Sequence, residues 1–173
     1  NGNVGFDTTV FEVGVRITDD GKGQLVAEVI YTGNTALPIF YNTYTPDPID
    51  VPLEAAKTIN GLTPEEFGYG FSFTFELVDE NGEVVDTAES DSVTGAIELV
   101  AGGLNIEDPE VDEKTYSFTI REVNDEQNGV TYDSSEYGVL IQLTRNQDGT
   151  LSYTVIWQNN EIPVFENQYA SAA

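Results

Sequence analysis

The 173-residue sequence contains no cysteine, no methionine and no histidine. These absences exclude thiol nucleophiles, thioesters, disulfides, imidazole catalysis and the commonest zinc ligands. No apolar run approaches the roughly 20 residues of a membrane-spanning helix, and no signal peptide or sorting tail is visible. We therefore expect no cofactor, no metal and no membrane insertion. We expect the chain to be either intracellular or an interior piece of a longer protein.

Basic residues are also scarce, with six Lys and Arg against thirty-one Asp and Glu and a net charge of −25. Such a charge repels nucleic acid and anionic membranes, so we expect neither as a partner. A high net charge also keeps a protein soluble and apart from its neighbours, and this is the simplest explanation of the acidic composition. Hydrophobic residues still make up 39% of the chain, and this suffices for a packed core.

The chain contains an internal repeat. The stretch FDTTVFEVGVRITDDGKGQLVAEVIY (6–31) aligns without a gap on YDSSEYGVLIQLTRNQDGTLSYTVIW (132–157), at an offset of 126 residues. After a slip of one residue, PIFYNTY (38–44) aligns on PVFENQY (163–169). A period of this length indicates copies of a whole domain rather than a solenoid.

The repeat predicts the domain organisation. We interpret residues 1–46 as the C-terminal part of a preceding repeat, 47–52 as a proline-rich linker, and 53–170 as a complete domain. The complete domain consists of short alternating segments separated by Gly and Asn/Asp turns, with a single short helical turn indicated at TPEEF. We predict an all-β, immunoglobulin-like antiparallel β-sandwich in tandem repeats.

Three polar residues occupy positions that the strand alternation assigns to the core. They are Lys57 in LEAAKTI, Glu122 in YSFTIRE and Asn167 in FENQY. The simplest interpretation is a buried Lys57–Glu122 ion pair held by the Asn167 amide. The alternative is chemical, because burial favours a neutral amine and a neutral acid. A neutral Lys57 can attack the Asn167 carboxamide while Glu122 donates a proton to its oxygen, which yields a side-chain amide and ammonia.

The motifs AAKTING, YSFTIRE, GVTYDSSEYGVLIQL, DGTL and FENQY, spread over about residues 50–170, resemble the repeat of streptococcal-type pilin subunits. Those repeats are similar to the B-type domains of Gram-positive collagen-binding adhesins. The resemblance implies an intramolecular isopeptide bond between Lys57 and Asn167, with Glu122 as the catalytic acid. It also implies a structural subunit or stalk repeat of a pilus or fibrillar adhesin, on the surface of a Gram-positive bacterium.

Asn42 corresponds to Asn167 in the repeat and is predicted to be the acceptor of the preceding copy. Its lysine and glutamate would lie before residue 1, so we expect a neighbouring repeat, subunit or bound fragment to complete that copy. Neither Lys22 nor Lys114 lies in the motif expected of a sortase-linked pilin, which leaves polymerised shaft and tandem-repeat stalk both open.

Two other functional classes compete with this interpretation. A host-protein or glycan-binding adhesin module would use aromatic side chains such as Tyr41, Tyr69 and Trp157. A glycosidase would use paired carboxylates, but among thirty-one acids some pair always has a plausible spacing. We therefore expect no enzyme acting on an external substrate. The acidic stretch NIEDPEVDE is at most a weak calcium site.

Overall fold

A computed structural model describes residues 3–31, 37–68 and 71–171. The chain divides between Thr45 and Pro46 into two compact units, which we call the amino-terminal and carboxy-terminal units. The described residues form strands almost throughout, with one short helix. No helix in the described ranges is long and apolar enough to cross a membrane.

The amino-terminal unit contains two small antiparallel sheets. Its strands are β1 (Asn3–Gly5), β2 (Val13–Asp19), β3 (Leu25–Tyr31) and β4 (Thr43–Thr45), paired as β1 with β4 and β2 with β3. Many of its apolar side chains are exposed, including those of Phe6, Val10 and Phe40.

The carboxy-terminal unit is a two-layer β-structure. Its elements are β5 (Ile49–Ile59), α1 (Pro64–Phe67), β6 (Thr74–Asp79), β7 (Val84–Glu89), β8 (Ala96–Leu104), β9 (Glu113–Glu122), β10 (Val130–Thr131), β11 (Glu136–Arg145), β12 (Leu151–Trp157) and β13 (Val164–Tyr169). One sheet has the order β10-β13-β5-β8, and the other has the order β12-β11-β9-β6-β7. The prediction of an all-β antiparallel fold is confirmed, while the tandem repeat remains a prediction.

One strand pair departs from the antiparallel pattern. The last strand, β13, runs parallel to the first strand of the unit, β5, with Phe165 opposite Lys57. A parallel pair cannot be closed by a short hairpin, so its two strands come from distant parts of the chain. Here they are the two ends of the domain.

The core lies between the two sheets and follows the period-two alternation of the strands. Its buried apolar residues are Val51, Leu53, Ala55, Ile59, Phe73, Phe75, Leu77, Ile97, Leu99, Ala101, Leu104, Ile106, Phe118, Ile120, Val139, Ile141, Leu143 and Phe165. The short helix begins with a capping box, in which Thr63 and Glu66 satisfy each other's backbone N–H groups. It lies at the position predicted from TPEEF.

The proline-rich segment differs from the predicted linker at 47–52. Strand β5 begins at Ile49, and Val51 is fully buried and paired with Ala101 of β8. Pro52 continues the strand with its side chain exposed. The apolar side chains of Ile49 and Val51 alternate with exposed neighbours and continue the core face, so this segment belongs to the sandwich rather than to a spacer.

Candidate functional site

The structure brings Lys57, Glu122 and Asn167 together between the two sheets. Lys57 lies on β5 and Asn167 on the adjacent parallel strand β13, with Asn167 opposite Ile59 in the register. Glu122 ends β9 in the facing sheet. Because the strands alternate with period two, the same face that carries the apolar core also carries these three side chains.

The Glu122 carboxylate lies between the two other groups. Its Oε1 atom is 2.9 Å from Lys57 Nζ, and its Oε2 atom accepts a hydrogen bond from the same Nζ at 3.0 Å. The same Oε1 atom accepts a hydrogen bond from Asn167 Nδ2 at 2.8 Å. The amine and the carboxamide nitrogen are thus bridged by one carboxylate oxygen.

The site is sealed from solvent. Lys57 is 1% exposed, Asn167 is 0% exposed and the Glu122 side chain is 0% exposed. The Lys57 Nζ atom lies 4.8 Å from the ring centroid of Phe73 and 5.9 Å from that of Phe75. Apolar rings therefore occupy the space in which water would otherwise hydrate the amine.

Burial perturbs both ionisable groups. It lowers the pKa of the Lys57 amine and raises the pKa of the Glu122 carboxyl, since each charged form loses its hydration. The hydrogen bond and the charge attraction between the two groups oppose these shifts without cancelling them. Both shifts favour the neutral amine and the neutral acid over the ion pair.

The contacts of Asn167 differ from the expected arrangement in one respect. Glu122 was expected to donate a proton to the carboxamide oxygen, but it contacts the carboxamide nitrogen instead. The oxygen, Oδ1, accepts a hydrogen bond from the backbone N–H of Asp133 at 2.7 Å. Sequence reasoning missed Asp133, although the internal repeat aligns it with Asp7 and signals a shared role.

The remaining predicted site residues lie elsewhere. Asn42 is exposed in the amino-terminal unit, where its Oδ1 accepts a hydrogen bond from the backbone N–H of Asp7 at 3.0 Å. Tyr41 is exposed, Trp157 packs against the core of the carboxy-terminal unit, and Tyr69 lies outside the described residues. Within the described ranges, no group of three or more acidic side chains is arranged to hold a metal ion.

Comparison with known proteins identifies the family. The profile of the FctA family, the Spy0128-like isopeptide containing domain, matches residues 1–45 and 53–170. No curated protein sequence matches the chain. Among solved structures, the major pilin protein (T-13) of Streptococcus pyogenes is similar at 12% sequence identity, with a TM-score of 0.41. That similarity covers 72% of this chain and 53% of the pilin, so the chain spans about half the length of that protein.

The family match extends over nearly the whole sequence and includes both units. It also includes the positions of Lys57, Glu122 and Asn167. The chain therefore belongs to the FctA family of Spy0128-like isopeptide containing domains.

Proposed function

We propose that this protein is a structural repeat of a bacterial surface pilus or fibrillar adhesin, cross-linked by an isopeptide bond between Lys57 and Asn167. The observation that carries the proposal is the position of Glu122 Oε1, within hydrogen-bond distance of both Lys57 Nζ and Asn167 Nδ2. A carboxyl group in this position can give its proton to the leaving nitrogen and take one back from the attacking nitrogen.

The reaction exchanges one carbon–nitrogen bond for another. The neutral Lys57 amine attacks Cγ of Asn167 and forms the new bond, and the bond from Cγ to Nδ2 then breaks. One proton passes from Nζ through Glu122 to Nδ2, which leaves as ammonia. The product is a neutral amide, so Lys57 can no longer carry a charge in the core.

The fold holds the Lys57 amine and the Asn167 carboxamide close together, and this makes the reaction feasible. An amine and a carboxamide do not combine at neutral pH when they are free in water, but oriented groups held together reach effective molarities of ~10⁵–10⁸ M. Because both reactants belong to the chain and both are consumed, the reaction runs once in each molecule. The protein is accordingly proposed not to be an enzyme, since it turns over no external substrate.

The strand arrangement gives the bond a mechanical role. Strands β5 and β13 are the first and last of the unit, and they are parallel neighbours. Tension that enters at Ile49 and leaves at Tyr169 therefore shears this pair. A Lys57–Asn167 bond carries the tension across the pair directly, so the chain between the two residues is not extended.

The proposed setting is the extracellular surface of a Gram-positive bacterium, in a fibre built from such domains. The partners are neighbouring repeats or subunits of the same fibre. The exposed apolar side chains of the amino-terminal unit support such a partner, because they would be covered by one. A chain without cysteine gains from the isopeptide bond the covalent staple that a disulfide provides in other extracellular proteins.

Intact-mass spectrometry of the denatured protein tests the proposal. The wild type is expected to weigh less than its sequence by the mass of one ammonia, and Glu122→Ala is expected to retain the full mass. Glu76→Ala is the matched control, because Glu76 also forms an ion pair across strands, at 2.8 Å with Arg121, but lies outside the site. It should lose ammonia like the wild type. A wild-type protein of full mass would show that no bond has formed and that Lys57 and Glu122 form only a buried ion pair.

A further inference from the structure

Asp133 forms three hydrogen bonds, one to the reaction site, one to the strand that carries Asn167 and one within its own segment. Its backbone N–H donates to Asn167 Oδ1 at 2.7 Å. Its carboxylate accepts one hydrogen bond from the backbone N–H of Glu166 at 2.9 Å and another from that of Ser135 at 2.9 Å. The carboxylate therefore ties the Asp133 turn to β13 at the residue before Asn167.

The same three hydrogen bonds occur in the amino-terminal unit. The backbone N–H of Asp7 donates to Asn42 Oδ1 at 3.0 Å. The Asp7 carboxylate accepts from the backbone N–H of Tyr41 at 2.8 Å and from that of Thr9 at 2.8 Å. Every partner has its equivalent in the internal repeat, which aligns Asp7 with Asp133, Thr9 with Ser135, Tyr41 with Glu166 and Asn42 with Asn167.

This recurrence shows what determines the contact. Asn167 is fully buried, whereas Asn42 is exposed, and the aspartate holds both asparagines in the same way. Burial and the Lys57–Glu122 pair are therefore not what orients the carboxamide. The turn and the strand next to it orient the carboxamide, through sequence elements that read FDTT in one copy and YDSS in the other.

We propose that the Asp133 backbone N–H is a catalytic hydrogen-bond donor in isopeptide formation, and that the Asp133 carboxylate is its positioning group. This inference rests on the proposed function. When Lys57 attacks, the carbon–oxygen double bond of the Asn167 carboxamide becomes a single bond and Oδ1 takes up the negative charge. A donor already in contact with Oδ1 stabilises that charge, and the charge returns to the double bond when ammonia leaves.

The geometry divides the work between two groups. Glu122 contacts the nitrogen of the carboxamide and moves the proton, whereas Asp133 contacts the oxygen and stabilises the charge. Partial burial acts to raise the pKa of the Asp133 carboxyl, but hydrogen bonds from Ser135 and Glu166 outweigh it and hold that pKa below its ordinary value. The carboxylate therefore stays charged at neutral pH and keeps its hydrogen bond to Glu166 of β13.

The decisive test removes the N–H and leaves the carboxylate. Full-length chain is made with the α-hydroxy acid analogue of aspartate at position 133, so that an ester oxygen replaces the backbone N–H. Chain recovered in denaturant before closure is refolded by dilution, and ammonia loss is followed by mass spectrometry. Loss of one oxyanion donor is expected to slow closure ~10²–10³-fold.

Side-chain variants test the positioning role. Asp133→Ala is expected to slow closure at least ~10-fold, because displacement of a reacting group by about 1 Å costs up to ~10²-fold. Asp133→Asn keeps one acceptor oxygen and is expected to recover part of the rate. The matched control is Asp79→Ala, which deletes a carboxylate that also accepts two backbone N–H groups, those of Asn81 and Glu83 at 2.9 Å each. Its closure rate should equal that of the wild type.

Folding is controlled separately in the Glu122→Ala background, which is expected not to close. Trp157, the single tryptophan, reports the folded state of this unit, and rates are compared only where it shows complete folding. Slow closure of the folded ester protein supports the inference. Equal closure rates for the ester and the wild type overturn the role of the N–H, while the isopeptide bond itself stands. A wild type that never loses ammonia overturns the proposed function and this inference together.

Discussion

The sign of a stability change distinguishes a cross-link from an ion pair in the Lys57→Met, Glu122→Gln double variant. Both replacements are uncharged and similar in size to the original side chains, so no unpaired charge is left in the core. If the site is an ion pair, exchanging it for uncharged residues is expected to leave stability unchanged or to raise it by ~1–4 kcal/mol.

If the site is a cross-link, the same variant loses stability. In the closed protein Lys57 is an amide without charge, so the substitution relieves no buried ion. Lys57 and Asn167 lie 110 positions apart, and opening a loop of that length restores unfolded-state entropy equivalent to about 5 kcal/mol. For a domain of this size the loss corresponds to a fall in Tm of about 15–25 °C.

Thermal unfolding followed by Trp157 fluorescence measures this change, because the only tryptophan lies in the carboxy-terminal unit. The mass of each sample is recorded before heating. The control replaces the partly exposed pair Arg121 and Glu76 by Met and Gln, and it is expected to change stability by less than about 1 kcal/mol. A double variant at Lys57 and Glu122 that melts at or above the wild-type Tm, beside a wild type of full mass, would refute the cross-link.

Three further predictions concern proton balance and strand packing. The closure rate after refolding should be bell-shaped in pH, because the reaction needs one proton shared between Lys57 and Glu122; a rate that rises steadily with pH would contradict this. The variant Asn167→Ala cannot close, so its free energy of unfolding, measured by urea titration, should depend on pH. It should fall as pH rises from 4.5, the ordinary pKa of Glu, through the raised pKa of Glu122. It should rise again between the lowered pKa of Lys57 and 10.5, the ordinary pKa of Lys. The variant Gly95→Ala should lower the free energy of unfolding by ~1–3 kcal/mol or more, since φ is +76° and the new Cβ would lie 2.2 Å from the Lys57 carbonyl oxygen. The same clash should displace Lys57 and slow closure. Gly82→Ala, with φ of +83° and open space, is the control, and equal losses in the two variants would exclude the steric argument.

Much of the site was predictable because strand alternation is a local property. The period of two places a side chain on one face or the other whatever the rest of the chain does, so Lys57, Glu122 and Asn167 were expected to face the core before their partners were known. All three side chains are buried in the structure. The strand-rich fold and the short helix at TPEEF were predicted for the same reason, because turn and capping residues act within a few positions.

Other features depend on pairings between distant residues, which alternation does not specify. The prediction of a linker at 47–52 missed the start of β5 at Ile49, because two prolines resemble a spacer until Val51 is seen to pair with Ala101. The parallel pairing of β13 with β5 likewise has no local signal, since the two strands are joined through the entire domain.

The sequence by itself determined which residues enter the core, Lys57, Glu122 and Asn167 among them, because side-chain direction along a strand follows from chain geometry alone. Only the tertiary structure decided which atoms meet. It set Glu122 against the nitrogen of Asn167 and the Asp133 N–H against the oxygen, because the facing sheet and a turn outside the strand supply these two contacts. Contacts of that kind are defined by the packing of remote segments, which no local pattern encodes.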